Sequence, residues 1–203
     1  MESHHLREVE EFVRFGSNSK HPFYKLSNFW KFKTELNDKI YPSVEHAFQA
    51  ELVESSDEYI STGPIGAFSE NAFRYVGVDE KDVAKKLRYW ASKDQVGILA
   101  KMRINIQKKQ GLKQSMTSTQ CKDLFLKLLR QKYAHPEMQQ ILLATGNQYL
   151  LEFDRSAERR FKKGDITRWG GMVKNGRVIG HNQMGVLLMR IRTEIQTVIK
   201  LSL

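Results

Sequence analysis

The chain has little of several residues that define particular protein classes. Its 203 residues include one cysteine, Cys121, and only four prolines. A single cysteine excludes an internal disulfide and leaves too few thiolates for a cysteine-based zinc site. A nucleophilic Cys121 would need a paired histidine that the sequence does not place, so a buried, inert thiol is expected. Since no Gly/Ser-rich run marks a linker, we expect one domain over residues 1–203.

Long hydrophobic runs are also lacking, which argues against a membrane-spanning protein. The first residues, MESHHLREVEEF, are polar and acidic, unlike a signal or transit peptide. We therefore expect a cytoplasmic, intracellular protein that does not bind a membrane. The sequence contains neither a G-x-G-x-x-G nor a Walker pattern, so no motif supports a dinucleotide-binding or NTPase function.

Positive charge is in excess. The chain has 33 Lys and Arg against 23 Asp and Glu, a formal net charge of +10. Such an excess favours anionic partners, namely phosphates, nucleotides or nucleic acid, although a basic surface that only confers solubility is the plain alternative. The basic residues are spread along the chain, which indicates a charged face on a folded body rather than a disordered arm.

Hydrophobic periodicity predicts a mainly helical α+β domain with a few short strands. Apolar residues recur at helical spacing from Val44 to about Glu54 and in the segments DEKDVAKKLRYW, SKDQVGILAKMRINIQKK, CKDLFLKLLRQKY, HPEMQQILLAT and MGVLLMRIRTEIQTVI. Ser43 is the expected N-cap of the first helix. Strands are predicted in EEFVRF and YLLEF, and a hairpin about Asn175-Gly176.

The first of these helices carries polar residues that need an explanation. Glu45 and Gln49 are four residues apart and share a face, whereas His46 is rotated away from them. Two interpretations are open: Glu45 is a surface residue with His46 a hydrogen-bonded core imidazole, or Glu45 lines a pocket. A zinc site of the H-E-x-x-H type is rejected, because Ala50 stands four residues after His46.

The second candidate region is the glycine-rich stretch that contains Asp165, Trp169 and Asn182 and leads into the last helix. Glycines allow a ligand to approach the backbone, and a helix N-terminus with free N–H groups suits a phosphate. The alternative is an ordinary connection with a packed tryptophan. Trp90 could stack on a base, but a tryptophan at the end of an amphipathic helix is more often part of the core.

Taken in order, several motifs resemble the NADAR superfamily, the YbiA-like N-glycosidases. They are KLSNFW, YPSVEHAFQA, the Trp90 helix, KYAHPEMQQILLATGNQYLLEFD, D..RWGG and GHNQMGVLLMRIR. The resemblance covers about residues 12–193. It implies a compact, mainly helical fold with a pocket for a ribose phosphate or ADP-ribose, and an N-glycosidase that needs neither metal nor cofactor.

The resemblance also implies roles for individual residues. Glu45 corresponds to the glutamate of the family's EH.FQA motif and Asp165 to the aspartate before its WG dipeptide, and both are predicted to be catalytic. The predicted substrate-binding residues are Asn28, Phe29, Gln49, Trp90, Trp169, Gly170 and Asn182. The implied substrates are phosphoribosylamino-pyrimidines and ADP-ribosylated guanine, which makes ADP-ribosylated nucleic acid a further partner.

The sequence departs from the family pattern at two places. Many relatives have a lysine three residues after the motif's glutamine, where this chain has Leu52, so an amine-dependent reaction would need another lysine such as Lys86 or Lys101. The spacing from Asp165 to Trp169 is one residue longer than usual. Three hypotheses follow: an N-glycoside hydrolase, a non-catalytic ADP-ribose or nucleotide-binding module, and a basic nucleic-acid-binding protein.

Overall fold

A computed structural model describes residues 5–53, 56–113 and 115–202. In these ranges the chain forms short strands and helices of very different length. The strands are β1 Phe12–Phe15, β2 Thr34–Leu36, β3 Lys39–Tyr41, β4 Tyr149–Glu152, β5 Met172–Lys174 and β6 Arg177–Ile179. The helices are α1 Val44–Leu52, α2 Ser56–Tyr59, α3 Glu70–Tyr75, α4 Glu80–Ala91, α5 Ile98–Lys109, α6 Ser118–Ala134, α7 Pro136–Leu143, α8 Ala157–Phe161 and α9 Gln183–Leu201.

The chain divides into two compact units, which we name the central and the terminal unit. The central unit is Asn28–Lys132, and the terminal unit joins Met1–Ser27 to Tyr133–Leu203. A single domain over the whole chain stays a prediction.

The central unit is organised around α1. This helix packs against α2, α5 and the antiparallel hairpin of β2 and β3. The hairpin turns at Asn37 and Asp38, which both have positive φ angles, as a tight two-residue turn requires. A bidentate ion pair joins Arg103 of α5 to Glu58 of α2, with nitrogen–oxygen distances of 2.6 and 3.1 Å. These contacts hold α1 and α5 in a fixed arrangement.

In the terminal unit, a strand from the N-terminal segment pairs in parallel with a strand from the C-terminal segment. β1 pairs with β4, with Val13 opposite Leu150, and α9 packs on β4. β5 and β6 form a separate antiparallel hairpin that turns at Asn175 and Gly176. Leu150 and Leu188 are fully buried in this unit, so the strand pair and α9 share a core.

Most of the predicted elements are confirmed. The α+β class, the six helices, the strands β1 and β4 and the turn at Asn175-Gly176 all occur. The predicted end of the first helix at Glu54 lies outside the described residues. In the described part of the chain, no helix combines the length and the apolar character needed to cross a membrane.

Candidate functional site

The helix α1 is almost entirely buried. Eight of its nine residues are buried, including Glu45, His46 and Gln49. Its N-terminus is capped by Ser43, whose hydroxyl accepts a hydrogen bond from the His46 N–H, as predicted. Since this helix carries Glu45, His46 and Gln49 into the interior, each of these polar side chains needs a partner or a function.

Glu45 and Gln49 form a bonded pair inside the central unit. The Gln49 Nε2 atom donates a hydrogen bond of 2.7 Å to Glu45 Oε1. The predicted shared face is therefore confirmed, and the interpretation of Glu45 as a surface residue is wrong, because only 5% of it is exposed. The buried Gln49 Oε1 atom has no hydrogen-bond partner among the described residues, so an acceptor stands next to the carboxylate.

The electrostatic surroundings of Glu45 favour its neutral form. Burial raises the pKa of Glu45 above its ordinary value, while the positive charges of Lys101 and Lys108 and the hydrogen bond from Gln49 oppose this rise. Burial and the neighbouring Lys101 charge lower the pKa of Lys108. The pKa values of Glu45 and Lys108 thus depend on each other's charge and on the charge of Lys101, and such perturbed groups are typical of functional sites.

Lys108 was missed by the sequence analysis, although a signal was present. Lys101 and Lys108 are seven residues apart on α5, a spacing that places two side chains on the same helix face. Of the two lysines predicted for an amine-dependent reaction, Lys101 is favoured by its electrostatic effect on Glu45. Lys86 is exposed on α4, and no effect of its charge on Glu45 is found.

Backbone hydrogen bonds place Asn28 and Phe29 beside Glu45 and Gly97. The Glu45 N–H donates a 3.1 Å hydrogen bond to the Asn28 carbonyl, and the Gly97 N–H donates one of 2.9 Å to the Phe29 carbonyl. A Cβ atom on Gly97 would lie 2.6 Å from Phe29 Cα and 3.1 Å from Glu45 Cβ. Glycine is therefore required where α5 begins beside α1.

His46 has a structural role. It is fully buried, and its Nδ1 atom lies 2.8 Å from the Ser43 hydroxyl. Burial lowers its pKa to about 3, although the Ile65 backbone favours the protonated form. The predicted core imidazole is confirmed, and it is neutral at physiological pH.

Leu52 and Cys121 are both buried in the central unit. Leu52 is 1% exposed and ends α1, so an aliphatic side chain fills this position. Cys121 is a buried free thiol, as predicted. Neither residue offers an amine to the site.

Trp90 stands near the end of α4 and is half-buried. Its ring meets that of Tyr89 edge-on, with centroids 4.9 Å apart, and its carbonyl accepts a hydrogen bond from Gln95 N–H. These contacts fix the start of the segment that leads to Gly97. Stacking of Trp90 on a substrate stays a prediction.

Four of the predicted residues belong to the terminal unit, namely Asp165, Trp169, Gly170 and Asn182. Asp165 is exposed, and its carboxylate accepts a 2.7 Å bond from Arg160. This hydrogen bond lowers the pKa of Asp165, which suits an ionised surface carboxylate. Its function as a second catalytic group stays a prediction.

The connection before α9 is fixed by its own hydrogen bonds. The Asn182 side chain is fully buried and bonds to the Glu152 N–H, the Tyr149 hydroxyl and the Leu150 carbonyl. Gly170 is buried where a Cβ would lie 2.6 Å from the Glu152 carbonyl oxygen. Both residues tie this connection to β4, and their contacts with a ligand stay predictions.

The start of α9 differs from the expectation of free N–H groups. The N–H groups of Gln183 and Met184 donate to the carbonyls of Arg168 and Trp169. Trp169 is half-buried, and the Arg168 guanidinium lies 4.6 Å from its ring centroid. The first N–H groups of this helix are therefore used by the protein itself, which weakens the idea of a phosphate site there.

Among the described residues, no group of three or more His, Cys, Asp or Glu side chains could hold a metal ion.

The fold is similar to that of the E. coli protein YbiA, which was solved by NMR. The TM-score is 0.54 at 21% sequence identity, and the match covers 98% of this chain and 91% of the YbiA chain. At this identity the likeness shows the fold alone, and it confirms the predicted helix-rich YbiA-like architecture. Neither a protein-family model nor a curated protein matches the chain.

Proposed function

We propose that the protein is an N-glycoside hydrolase that cleaves the C1′–N bond of a ribosylated, phosphate-bearing nucleobase compound. One observation carries the proposal: the buried Glu45 carboxyl is held by Gln49 and electrostatically coupled to two lysines. A carboxylate kept in the interior at a cost to stability is expected to have a chemical task.

The chemistry of N-glycoside cleavage fits such a group. When the C1′–N bond breaks, its electron pair goes to the base nitrogen, and positive charge develops on the ribose. Ionised Glu45 would stabilise this charge and accept the proton of the water that bonds to C1′, and this proton would then pass to the departing base nitrogen. The adjacent Gln49 Oε1 acceptor would receive a hydrogen bond from a ribose hydroxyl or from that water.

The two lysines give the site its preference for anions. Lys101 and Lys108 both lower the pKa of Glu45 through their positive charge, and the same charges would attract the phosphate groups of a substrate. Lys101 is also our choice for any amine-dependent step. ADP-ribosylated guanine and a phosphoribosylamino-pyrimidine are the substrates that the resemblance to the NADAR superfamily favours.

A non-catalytic ADP-ribose or nucleotide-binding module is the second candidate. Leu52 favours it, because a buried aliphatic side chain replaces the lysine that many relatives place there. Such a module would bind the ligand and lack the reaction.

Turnover by the wild-type protein separates the two candidates. ADP-ribosylated guanosine, the same base within DNA, and a phosphoribosylamino-pyrimidine are incubated with the protein, and the released base is measured by chromatography. Hydrolysis of any of them supports the enzyme. Stabilisation of the fold by ADP-ribose without base release from any substrate would instead assign the binding module.

A further inference from the structure

A polar cleft lies in the terminal unit where β1 and β4 end. Its volume is about 290 Å³, and its walls are formed by Arg14, Gly16, Ser17, Asn18, Ser19, Phe153 and Arg155. Pockets of this size and larger bind small molecules. None of the residues predicted from the sequence to act in catalysis or binding lines it.

The parallel pairing of β1 and β4 creates this cleft. Because the strands are parallel, their carboxyl ends meet at the same edge, and the Phe153 N–H bonds to the Phe15 carbonyl just beyond the ladder. Gly16 then has a φ of +143°, which favours glycine. The Ser19 N–H bonds to the Gly16 carbonyl, so the segment turns back beside the strand ends.

Two guanidinium groups face this cleft without a counter-charge. The Arg14 guanidinium lies 3.4 Å from the centroid of the Phe153 ring, and stacking of this kind leaves the in-plane N–H donors available. In the described parts of the chain neither Arg14 nor Arg155 pairs with a carboxylate. The nearby Asp154 carboxylate is engaged by the N–H and the hydroxyl of Ser156, at 2.8 and 2.7 Å.

An apolar cleft of about 570 Å³ continues from the polar one. Arg14, Asn18 and Ser19 line both clefts, and the second adds Phe12, Val13, Lys20, His21, Phe23 and Gln148. Side chains alternate along a strand, and Phe12 and Arg14 share the exposed face of β1. An aromatic surface therefore lies next to a pair of arginines and a serine/asparagine turn.

We propose that these adjoining clefts form a binding site for a nucleoside phosphate. Arg14 and Arg155 bind the phosphate, assisted by the polar groups of residues 17–19, and the rings of Phe12 and Phe23 contact the base. Paired arginines suit phosphate because their planar N–H donors match its oxygens. The site goes beyond the proposed hydrolase, since it uses neither Glu45 nor any residue coupled to it.

Amide NMR on the full chain, titrated with AMP, tests the site by location. We expect saturable shifts of the Ser17, Asn18 and Ser19 amides. Adenosine, which lacks the phosphate, should bind at least about tenfold more weakly than AMP. Arg14→Gln and Arg155→Gln should each weaken AMP binding about tenfold. Phe12→Ala, at an exposed position, should weaken the binding of AMP and leave that of inorganic phosphate unchanged.

Arg159→Gln is the matched control, because Arg159 is an exposed arginine of α8 that lines neither cleft. It removes the same charge and should change AMP affinity less than about twofold. An equal loss in the control, or AMP shifts confined to other amides, would overturn the site. Inorganic phosphate that binds as tightly as AMP would overturn the nucleoside assignment. If the wild type hydrolyses none of the tested substrates, the AMP-induced shifts at residues 17–19 are still expected. The two proposals therefore fail separately.

Discussion

At the scale of the residue, Glu45 is a buried carboxyl whose ionised form is unfavourable in the central unit. Transfer of a carboxylate out of water is unfavourable, and the resulting rise in its pKa measures a preference of the fold for the neutral form. The hydrogen bond from Gln49 and the charges of the two lysines offset only part of this cost. A residue that destabilises its own fold is explained most simply by its use in a reaction.

The stability of Glu45→Gln should reveal this cost. In the folded chain the pKa of Glu45 is raised above the ordinary 4.5, so ionisation destabilises the wild type as pH rises through the folded pKa. The neutral variant avoids the penalty and should be more stable than wild type at about pH 8, with the difference shrinking towards about pH 4. Urea unfolding at several pH values measures it. A variant less stable than wild type at high pH would show that the carboxylate is structurally required.

Lys101→Met tests the coupling between the lysine and the carboxylate. Because the positive charge of Lys101 lowers the pKa of Glu45, its removal should raise that pKa further. If turnover needs ionised Glu45, the acid limb of the kcat/KM profile should move to higher pH. Lys86→Met, at an exposed position on α4, is the control and should leave the limb in place; an unmoved limb in Lys101→Met would disconnect the two groups.

At the scale of the element, the start of α5 fixes the position of α1. Gly97 allows the two helices to approach, because its missing side chain leaves room for Phe29 and Glu45. Its N–H also holds the Phe29 carbonyl. The geometry around the carboxylate therefore depends on a contact between backbones.

Gly97→Ala should disturb this contact. The added methyl would lie 2.6 Å from Phe29 Cα, and overpacking of this kind costs roughly 1–3 kcal/mol of unfolding free energy. ADP-ribose affinity should fall with it. Asn105→Ala, on the exposed side of α5, should stay within about 0.5 kcal/mol of wild type. Equal stability of the two variants would mean that α1 and α5 can move apart to accommodate the methyl group without a loss of unfolding free energy.

The same elements show how far the sequence is informative. Local structure was predicted correctly at the Ser43 cap, at the helix face shared by Glu45 and Gln49, and at the Asn175-Gly176 turn. Caps, helix faces and tight turns depend on residues that are neighbours in the chain, so the sequence alone indicates them. The hairpin of β2 and β3 was missed, since its strands have three residues each and turn at Asn37-Asp38 without glycine. The cleft of Arg14 and Arg155 was also missed, because only the pairing of two distant strands brings these arginines together.

At the scale of the whole molecule, the excess of positive charge is open to two interpretations. Many basic side chains form ion pairs with carboxylates. Arg74 pairs with Glu70 and Glu80, and Arg177 pairs with Glu8. The coupled pair of lysines on α5 and the two arginines of the cleft offer charge at defined places. A site-specific anion-binding protein is therefore favoured over a general nucleic-acid-binding surface.

Salt dependence distinguishes these interpretations. A surface that binds duplex DNA through many phosphates loses about 10³-fold or more in affinity between roughly 50 and 200 mM salt. We expect ADP-ribose affinity to change by less than about tenfold over the same range, because few phosphates are involved. Fluorescence anisotropy with labelled DNA and calorimetry with ADP-ribose give the two slopes. Tight DNA binding with a steep slope and no ADP-ribose binding would favour the nucleic-acid-binding protein.

The most direct test of catalysis by Glu45 compares Glu45→Gln with Glu51→Gln on the substrate that the wild type hydrolyses. Glu51 lies on the same helix and accepts a hydrogen bond from Asn37, so the control removes a charge close by. Base release and ADP-ribose affinity are measured on one preparation of each variant. We predict that Glu45→Gln lowers base release at least ~100-fold while ADP-ribose still binds, and that Glu51→Gln retains both. Undiminished turnover in Glu45→Gln would contradict the central claim that this buried carboxylate performs the reaction.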